Sequence, residues 1–488
     1  MRETLKRLTK MTAGYGMVQW AGPLLSFIFT PIITRILAPA DYGVADYVLS
    51  VSSAASILAL FALPQALAAH FNNHPEIAWQ RRITGSALTL ALMFGAGAGL
   101  LIFILAPIIA QLSFGNQQYV HLFRLIGVAF VFGVSGAILT GAAQLALRVR
   151  WGMVFSLTSI ICTVFGNIVF IVVLRLGAAG MLLTPILTGT VLSGVALVMT
   201  RQIIGPPARA TMGLLLHSGA LLLPASAATW ALQMIDRFFL VNYVSTTELG
   251  YYAIANKIAG LLYVVMAPIY AAWTPLALAM QDDPQARDRY AIMSRYFVGI
   301  ALAASLALSL FATEILLVMT RPAYVPAAPY AGVLAYVQVF SGIGTLLYTG
   351  ALASKQLKTV SWVVMVGAGV NIFLNMALIP SFGLWGATIA TVIGVAVPQG
   401  LLYVLLQRVY PIPYPIGKLL AALAVQVILV IVALHVPPLH FPIRLVLKMA
   451  IFLLLPLAFV ALGMITPFEM AHGRLFVVNQ ARRLWRSR

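Results

Sequence analysis

The sequence predicts an all-α polytopic membrane protein, and three observations lead to this fold class. Of its 488 residues, 62% are hydrophobic and only 8% are charged, and the mean hydropathy is +0.99. Apolar stretches of about 18 residues or more, the length that an α-helix needs to cross a bilayer, recur from end to end. The breaks between these stretches are short and carry most of the basic residues. Two soluble domains would need polar surface that this chain lacks.

Breaks at charges, at Pro and Gly clusters and at Asn and His runs divide the chain into about fourteen transmembrane helices. The predicted spans are about 13–33, 43–69, 83–111, 119–145, 152–174, 178–203, 218–244, 250–279, 291–319, 329–353, 360–379, 384–406, 417–435 and 442–464. The first ten residues, MRETLKRLTK, are interpreted as a basic lead-in to the first span. The apolar run that follows them is longer than a typical signal-peptide core, and no small-residue cleavage site closes it.

The distribution of basic residues determines the expected orientation. The chain holds 30 Lys and Arg residues against 11 Asp and Glu, a net charge of +19. With the N-terminus inside, 22 of the basic residues fall in inside segments, 4 in outside segments and 4 within spans. This alternation follows the positive-inside rule and predicts that both termini are cytoplasmic. Because the charge flanks membrane spans, it indicates no nucleic-acid partner.

The two halves of the sequence resemble each other at a nearly constant offset. Gly43 in DYGVADY is matched by Gly250 in ELGYYAI, 207 residues later. TGAA with TGAL and LGAAG with FGLWG keep offsets of 209 and 206. This register indicates duplication of a six-helix unit, and because six is even the copies form a parallel repeat of the kind found in transporters. We therefore expect two six-helix lobes, 1–210 and 211–410, followed by two C-terminal helices and a basic tail over 411–488.

Polar residues of the seventh span fall at helical steps of three or four and form one stripe, with Arg237 on its border. The stripe consists of Ser226, Thr229, Gln233 and Asp236. An ionisable side chain at the centre of a membrane helix costs roughly 2.5–3.5 kcal/mol unless a cavity or a partner receives it. One face of this span is therefore expected to border water or polar partners.

Depth along the spans groups further charges in the outer half of the membrane. Asp236 and Lys257 are each expected about 10–12 Å below the outer surface, so we predict that they pair, either in a site or as a structural ion pair. The predicted substrate-binding residues are Arg35, Arg124, Arg237 and Lys257. These four cations outnumber the two carboxylates, Asp46 and Asp236. The sequence therefore predicts a net positive cavity for an anion such as a phosphate or diphosphate.

Several of these charges allow a second interpretation. Arg35, at the end of a span, is equally expected to extend its charge to the membrane surface. Asp46 and Asp236 are the predicted coupling or gating residues, through protons or sodium. Glu314 and Lys448 are expected to pair locally or to reach the surface, outside the site.

Other motifs point away from catalysis. The sequence contains no GxxxxGK[ST] loop and no HExxH or clustered His and Cys set, and Cys162 is the single cysteine. No outside loop is long enough for a catalytic domain. The sequence therefore predicts a transporter rather than an enzyme, with no cofactor and no metal site.

Three stretches resemble the O-antigen and polysaccharide flippases of the multidrug/oligosaccharidyl-lipid/polysaccharide (MOP) exporter superfamily. RILAPADYG at 35–43 resembles the end of their first helix, and IDRFFLVNYVSTTELGYYAIANKIAG at 235–260 resembles their seventh and eighth. NIFLNMALIPSFGLWGATIATVIG at 371–394 resembles the eleventh and twelfth. The resemblance covers about residues 1–410. Beyond it, only the presence of two further helices matches.

The resemblance implies a bacterial inner-membrane protein that moves an undecaprenyl-diphosphate-linked oligosaccharide to the periplasmic face. It also implies a cationic lumen between the lobes that receives the diphosphate, and alternating access that moves the headgroup while the lipid tail stays in the bilayer. Membrane lipids, a glycan polymerase and a chain-length regulator are the expected partners. Asp236, Arg237 and Lys257 lie in the matching motif, whereas Arg124 does not.

Other hypotheses remain open. A flippase of a peptidoglycan-precursor lipid would share the helix count and a cationic cavity. A cation-coupled multidrug exporter of the same superfamily would favour acidic or aromatic sites, and the basic surplus counts against it. A glycan polymerase or ligase would need a long outer loop with paired Arg or His, and the sequence has none. A non-transporting scaffold leaves the charges within spans unexplained.

Overall fold

The computed structural model describes residues 27–464, apart from 75, 147–148, 281–282, 284 and 435–439. Within these ranges the chain is helical and contains no strand. Among the described residues, thirteen helical segments are long and apolar enough to cross a membrane. A shorter apolar helix, Phe27–Ile36, covers the described part of the first predicted span, most of which lies outside the described residues. The predicted fold class, an all-α polytopic membrane protein, is confirmed.

Sixteen helices are numbered here in chain order. They are α1 Phe27–Ile36, α2 Pro39–Leu60, α3 Leu63–His70, α4 Ile77–Phe114, α5 Val120–Leu145, α6 Val149–Gly166, α7 Gly177–Thr200, α8 Arg209–Leu240, α9 Thr246–Ala259, α10 Leu261–Ala279, α11 Ala286–Met319, α12 Ala328–Ala353, α13 Leu357–Phe382, α14 Leu384–Val409, α15 Ile416–Leu434 and α16 Phe441–Ala461. A π-helical segment, Asn167–Val173, continues α6. A 3-10 segment, Pro322–Ala327, joins α11 to α12.

The predicted span 43–69 is divided into α2 and α3. Phe61 and Ala62 take left-handed backbone conformations, with φ of 48° and 52°. A positive φ is uncommon for residues other than glycine, and two in succession interrupt the helical hydrogen-bond ladder. Pro64 in the first turn of α3 then favours a new helix start. The predicted span 250–279 is divided into α9 and α10 at Gly260, although the backbone there stays in the right-handed helical region.

The glycines that the sequence repeat matches lie face to face, where α2 packs against α9. A Cβ built on Gly43 would lie 2.5 Å from the Gly250 nitrogen, and one built on Gly250 would overlap the Pro39 carbonyl. Only glycine allows the two backbones to approach this closely. This contact lies at the end of the bundle where α2 and α9 begin, which we call the α2–α9 end. It joins the first half of the chain, up to residue 210, to the second half.

Further contacts join the two halves at the same end. Thr34 donates to the Met319 carbonyl at 3.2 Å, so the end of α1 is bonded to the end of α11. The Tyr324 hydroxyl donates to the Leu37 carbonyl at 3.2 Å. At the opposite end, His70 of α3 contacts the Ser218 hydroxyl of α8 at 2.8 Å. The halves are therefore bonded at both ends in this conformation.

The two C-terminal helices are attached to α11 by polar contacts within the membrane-spanning region. Lys448 of α16 binds both carboxylate oxygens of Glu314 at 2.8 Å, and Arg444 approaches the same carboxylate at 3.3 Å. The fully buried Gln426 of α15 donates to the Ser305 hydroxyl at 2.7 Å. The expected local pairing of Glu314 and Lys448 is confirmed.

Candidate functional site

The central residue of the candidate site is Arg237, on the last turn of α8 and only 6% exposed. Its Nε donates to Asp46 Oδ2 at 2.8 Å, and its Nη1 donates to Asp236 Oδ1 at 2.9 Å. Nη1 also donates to the Gln233 carbonyl at 3.1 Å. Because Asp46 belongs to α2, the guanidinium forms an ion pair between the two halves. The charge that the sequence places in an apolar run is thus satisfied by two carboxylates.

The Asp236 carboxylate is 2% exposed and is held entirely by the second half of the chain. Its Oδ1 accepts the Arg237 backbone N–H and Nη1, each at 2.9 Å. Its Oδ2 accepts the Tyr252 hydroxyl of α9, and Thr391 Oγ1 of α14 lies 3.4 Å away. A buried carboxylate with three donors and a neighbouring hydroxyl is fully hydrogen-bonded.

Lys257 does not form the predicted ion pair with Asp236. Its Nζ donates to the Tyr42 hydroxyl at 3.2 Å and lies 5.7 Å from the centre of that ring. The reason lies in the helix boundaries, because α9 begins at Thr246 rather than at 250. Lys257 is therefore eleven residues into its helix, about one turn deeper than expected, and Tyr252 occupies the level of Asp236. The bond from Lys257 to Tyr42 still joins the halves.

Arg35 and Arg124 lie outside this cluster. Arg35 is exposed and donates to the Val318 carbonyl at 3.3 Å, so it interacts with the last turn of α11. Cations are favourable at a helix C-terminus, where carbonyl groups lack intrahelical partners. Arg124 is also exposed, and its guanidinium lies 5.5 Å from the centre of the Phe103 ring. The structure thus brings together two of the four predicted cationic residues, Arg237 and Lys257.

The cluster differs in charge from the predicted cavity. Asp46, Asp236, Arg237 and Lys257 carry a formal sum of zero, so this conformation contains no net positive chamber among these four residues. The predicted surplus depended on Arg35 and Arg124. Depth along a helix contains no information about which face of the bundle a residue occupies.

Sequence reasoning missed three residues of the site, Tyr42, Tyr252 and Thr391. Tyr42 is buried, receives Lys257 and packs edge-on against Tyr324 with ring centres 6.2 Å apart. With α9 beginning at Thr246, Tyr252 rather than Lys257 lies at the depth of Asp236, so a correct helix boundary would have predicted this contact. No sequence signal distinguishes Thr391 from the other threonines, because its contact to Asp236 depends on how α14 packs.

This fold and this site define a polytopic membrane protein whose halves are joined within its spans by the Asp46–Arg237 ion pair and by the hydrogen bond from Lys257 to Tyr42. The chain belongs to the polysaccharide biosynthesis protein family, whose model matches residues 32–329, more than half of the sequence. The resemblance seen in the sequence to polysaccharide transporters is thereby confirmed. No curated protein matches this chain.

Solved structures share the fold at low sequence identity. A lipid II flippase, MurJ, in an inward closed conformation is 12% identical, with a TM-score of 0.68, covering 92% of this chain and 98% of its own. An inward-facing multidrug resistance MATE transporter of the MOP superfamily is 18% identical, with a TM-score of 0.56 and coverage of 80% and 97%. An outward-facing one is 15% identical, with a TM-score of 0.54 and coverage of 82% and 94%. These likenesses establish the fold.

Proposed function

We propose that the protein is a flippase that moves an undecaprenyl-diphosphate-linked oligosaccharide across the bacterial inner membrane by alternating access. The observation that carries the proposal is the part-buried Asp46–Arg237 ion pair, which joins the two halves in a chain of the polysaccharide biosynthesis family. Both termini lie in the cytoplasm, so the α2–α9 end faces the periplasm. Membrane lipids surround the protein, and a glycan polymerase and a chain-length regulator receive its product.

The proposed cycle follows from which end is closed. At the α2–α9 end the halves are held by Asp46–Arg237, by Lys257–Tyr42 and by the meeting of Gly43 with α9. Opening toward the periplasm requires these contacts to separate while α2 moves away from α8 and α9. Arg237 and Lys257 then exchange their protein partners for the diphosphate, which a guanidinium can bind through two parallel hydrogen bonds.

Coupling is assigned to the acidic residues of the same cluster. Asp46 and Asp236 are the carboxylates within reach of Arg237, and a proton or a sodium ion that binds either one changes the charge balance of the cluster. We propose that this change drives the exchange between closed and open states. Arg35 contributes to closure through its bond to α11, and the predicted role of Arg124 in substrate binding remains a prediction.

Two alternative substrates come from the same superfamily. The lipid II flippase among the solved structures favours a peptidoglycan-precursor lipid, which also carries a diphosphate. The MATE transporters favour a cation-coupled multidrug exporter, which would accept cationic compounds. Arg237 and Lys257, once separated from their partners on α2, favour an anionic headgroup over a cationic one.

The proposal is tested by reconstituting the purified protein into liposomes with an undecaprenyl-diphosphate oligosaccharide in one leaflet. We expect appearance of the glycan in the other leaflet, measured by accessibility to an enzyme added outside. Arg237→Ala should abolish this transfer, whereas Arg150→Ala, which removes an exposed cation from the start of α6, should leave it unchanged. Transfer of lipid II but not of the oligosaccharide would replace the proposed substrate with the first alternative. Transport of cationic dyes alone would favour the second.

A further inference from the structure

The two carboxylates that bind Arg237 are held very differently. Asp236 is 2% exposed and accepts three hydrogen bonds, two from Arg237 and one from Tyr252. All these donors belong to the second half of the chain. The guanidinium and Asp236 therefore form one unit that stays together when the halves separate, because no bond within the unit crosses between them.

Asp46 is held by a single ion pair. Its side chain is 29% exposed, and among the described residues its Oδ2 accepts one side-chain hydrogen bond, from Arg237 Nε at 2.8 Å. Water can therefore reach this carboxylate in a conformation in which Asp236 is almost fully enclosed. Asp46 also lies on α2, in the first half, so its bond to Arg237 is one that must break when the α2–α9 end opens.

The charged and titratable groups that face Asp46 come from three helices. Arg237 approaches from α8, Lys257 attracts the carboxylate from α9, and Tyr42 lies one turn before it on α2. Among the described residues of α4, α5 and α7, which also pack against α2, none forms an ion pair with Asp46. The state of this carboxylate therefore acts mainly on the bond between the halves.

We propose that Asp46 is the proton-accepting residue of the transport cycle and that Asp236 is a fixed anchor for Arg237. This inference rests on the proposed function and specifies which of its two acidic residues titrates. A proton binds Asp46 Oδ2, the ion pair to Arg237 is lost, and the α2–α9 end is released. No other atom is transferred. The ionised carboxylate keeps that end closed, so closure weakens when a proton neutralises it.

Protonation also changes the charge of the cluster in the direction that an anionic substrate needs. With Asp46 ionised, the four residues Asp46, Asp236, Arg237 and Lys257 sum to zero, and with Asp46 neutral they sum to +1. The released guanidinium face is the one that had bound Asp46. Proton binding thus exposes a hydrogen-bond donor and a net positive charge at the same place.

The test uses the full-length protein in lipid nanodiscs with spin labels at Gln117→Cys and Ser381→Cys, on a Cys162→Ser background. Gln117 lies in the exposed loop between α4 and α5, and Ser381 is exposed on the last turn of α13, so the two labels lie at the α2–α9 end, one in each half. Electron–electron distance distributions between about pH 5 and pH 8 report the fraction of molecules open at that end. We expect this fraction to rise as the pH falls in the unmodified cluster. Asp46→Asn should raise it at least about tenfold at high pH, equivalent to about 1.4 kcal/mol, and abolish its pH dependence.

Three comparisons make the result decisive. Asp46→Glu keeps the charge and should retain a pH-dependent transition with a shifted midpoint, which excludes misfolding as the cause of a flat profile. Asp236→Asn should leave a pH-dependent transition in place. Asp41→Asn removes an exposed carboxylate from the first turn of the same helix and should change nothing. The assignment would be overturned if the fraction of open molecules depended on pH in Asp46→Asn as it does in the parent. It would also be overturned if that pH dependence were lost in Asp236→Asn but kept in Asp46→Asn.

The outcome is separable from the proposed function. If the liposome assay shows oligosaccharide transfer but Asp46→Asn opens with the same pH dependence as the parent, only the assignment of the proton acceptor fails. If the pH-dependent opening follows Asp46 but no oligosaccharide is transferred, the coupling residue stands and the proposed substrate fails.

Discussion

The packing of Gly250 against α2 leads to a prediction about Gly250→Ala. The added methyl group would overlap the Pro39 carbonyl oxygen and would lie 3.0 Å from Pro39 Cα, a backbone that cannot rotate out of the way. Normal carbon–carbon contacts lie near 3.5–4.0 Å, so α2 and α9 must separate by about 1 Å or distort. Overpacking of this kind costs about 1–3 kcal/mol, and here the cost falls on the closed α2–α9 end. We therefore expect the ratio of open to closed molecules to rise by roughly 5- to 150-fold.

The assay is the rate at which maleimide labels a cysteine that replaces Ser50, on a Cys162→Ser background. Ser50 is 3% exposed in the closed structure, so labelling requires separation of α2 from α8. The labelling rate should rise in Gly250→Ala by the same factor as the open population. Gly213→Ala is the matched control, because a Cβ there meets nothing within 4 Å. Equal labelling rates in the two variants would refute the steric argument.

Three further predictions concern the polar contacts. Arg237→Lys should lower but not abolish glycan transfer in liposomes, because an ammonium cannot contact Asp46 and Asp236 together with the geometry of a guanidinium. Full activity of this variant would contradict the ion-pair role. Tyr252→Phe removes a donor to a buried carboxylate and should lower the free energy of unfolding by about 1.5–3 kcal/mol in thermal denaturation, whereas Tyr243→Phe at an exposed position should change it by less than about 0.5 kcal/mol. Glu314→Gln removes the charge of the part-buried carboxylate that binds Lys448 and should lower the free energy of unfolding by about 1.5–3 kcal/mol; an unchanged melting temperature would show that the α11–α16 contact contributes little.

Most of the fold could be predicted because each helix is a local pattern. The apolar spans, the loops rich in Arg and the repeat of Gly43 at Gly250 are all visible in the one-dimensional sequence. The predicted helix boundaries are least accurate at the helix ends, where charged residues extend the helices beyond the apolar stretch. α8 begins at Arg209 rather than at 218, and α4 begins at Ile77 rather than at 83.

The site could be predicted only in part, for a geometric reason. The polar stripe of the seventh span identified Asp236 and Arg237, because both the spacing and the cost of burial are local properties. The partner of Arg237 was not identified, because Asp46 lies 191 residues away and its direction depends on how α2 packs against α8. The orientation of α5 within the bundle could not be predicted either, and Arg124 was therefore assigned to the predicted cavity, although it lies on an exposed face of α5.

The left-handed residues between α2 and α3 divide one span into two helices that bind the second half at opposite ends of the bundle. Asp46 lies on α2 and is bonded to Arg237, whereas α3 is bonded to α8 through His70 and Ser218. Because Phe61 and Ala62 interrupt the helix, a tilt of α2 is not transmitted rigidly to α3. In the proposed cycle this break acts as a joint, so that the first half swings away at one end of the bundle while its attachment at the other end remains in place.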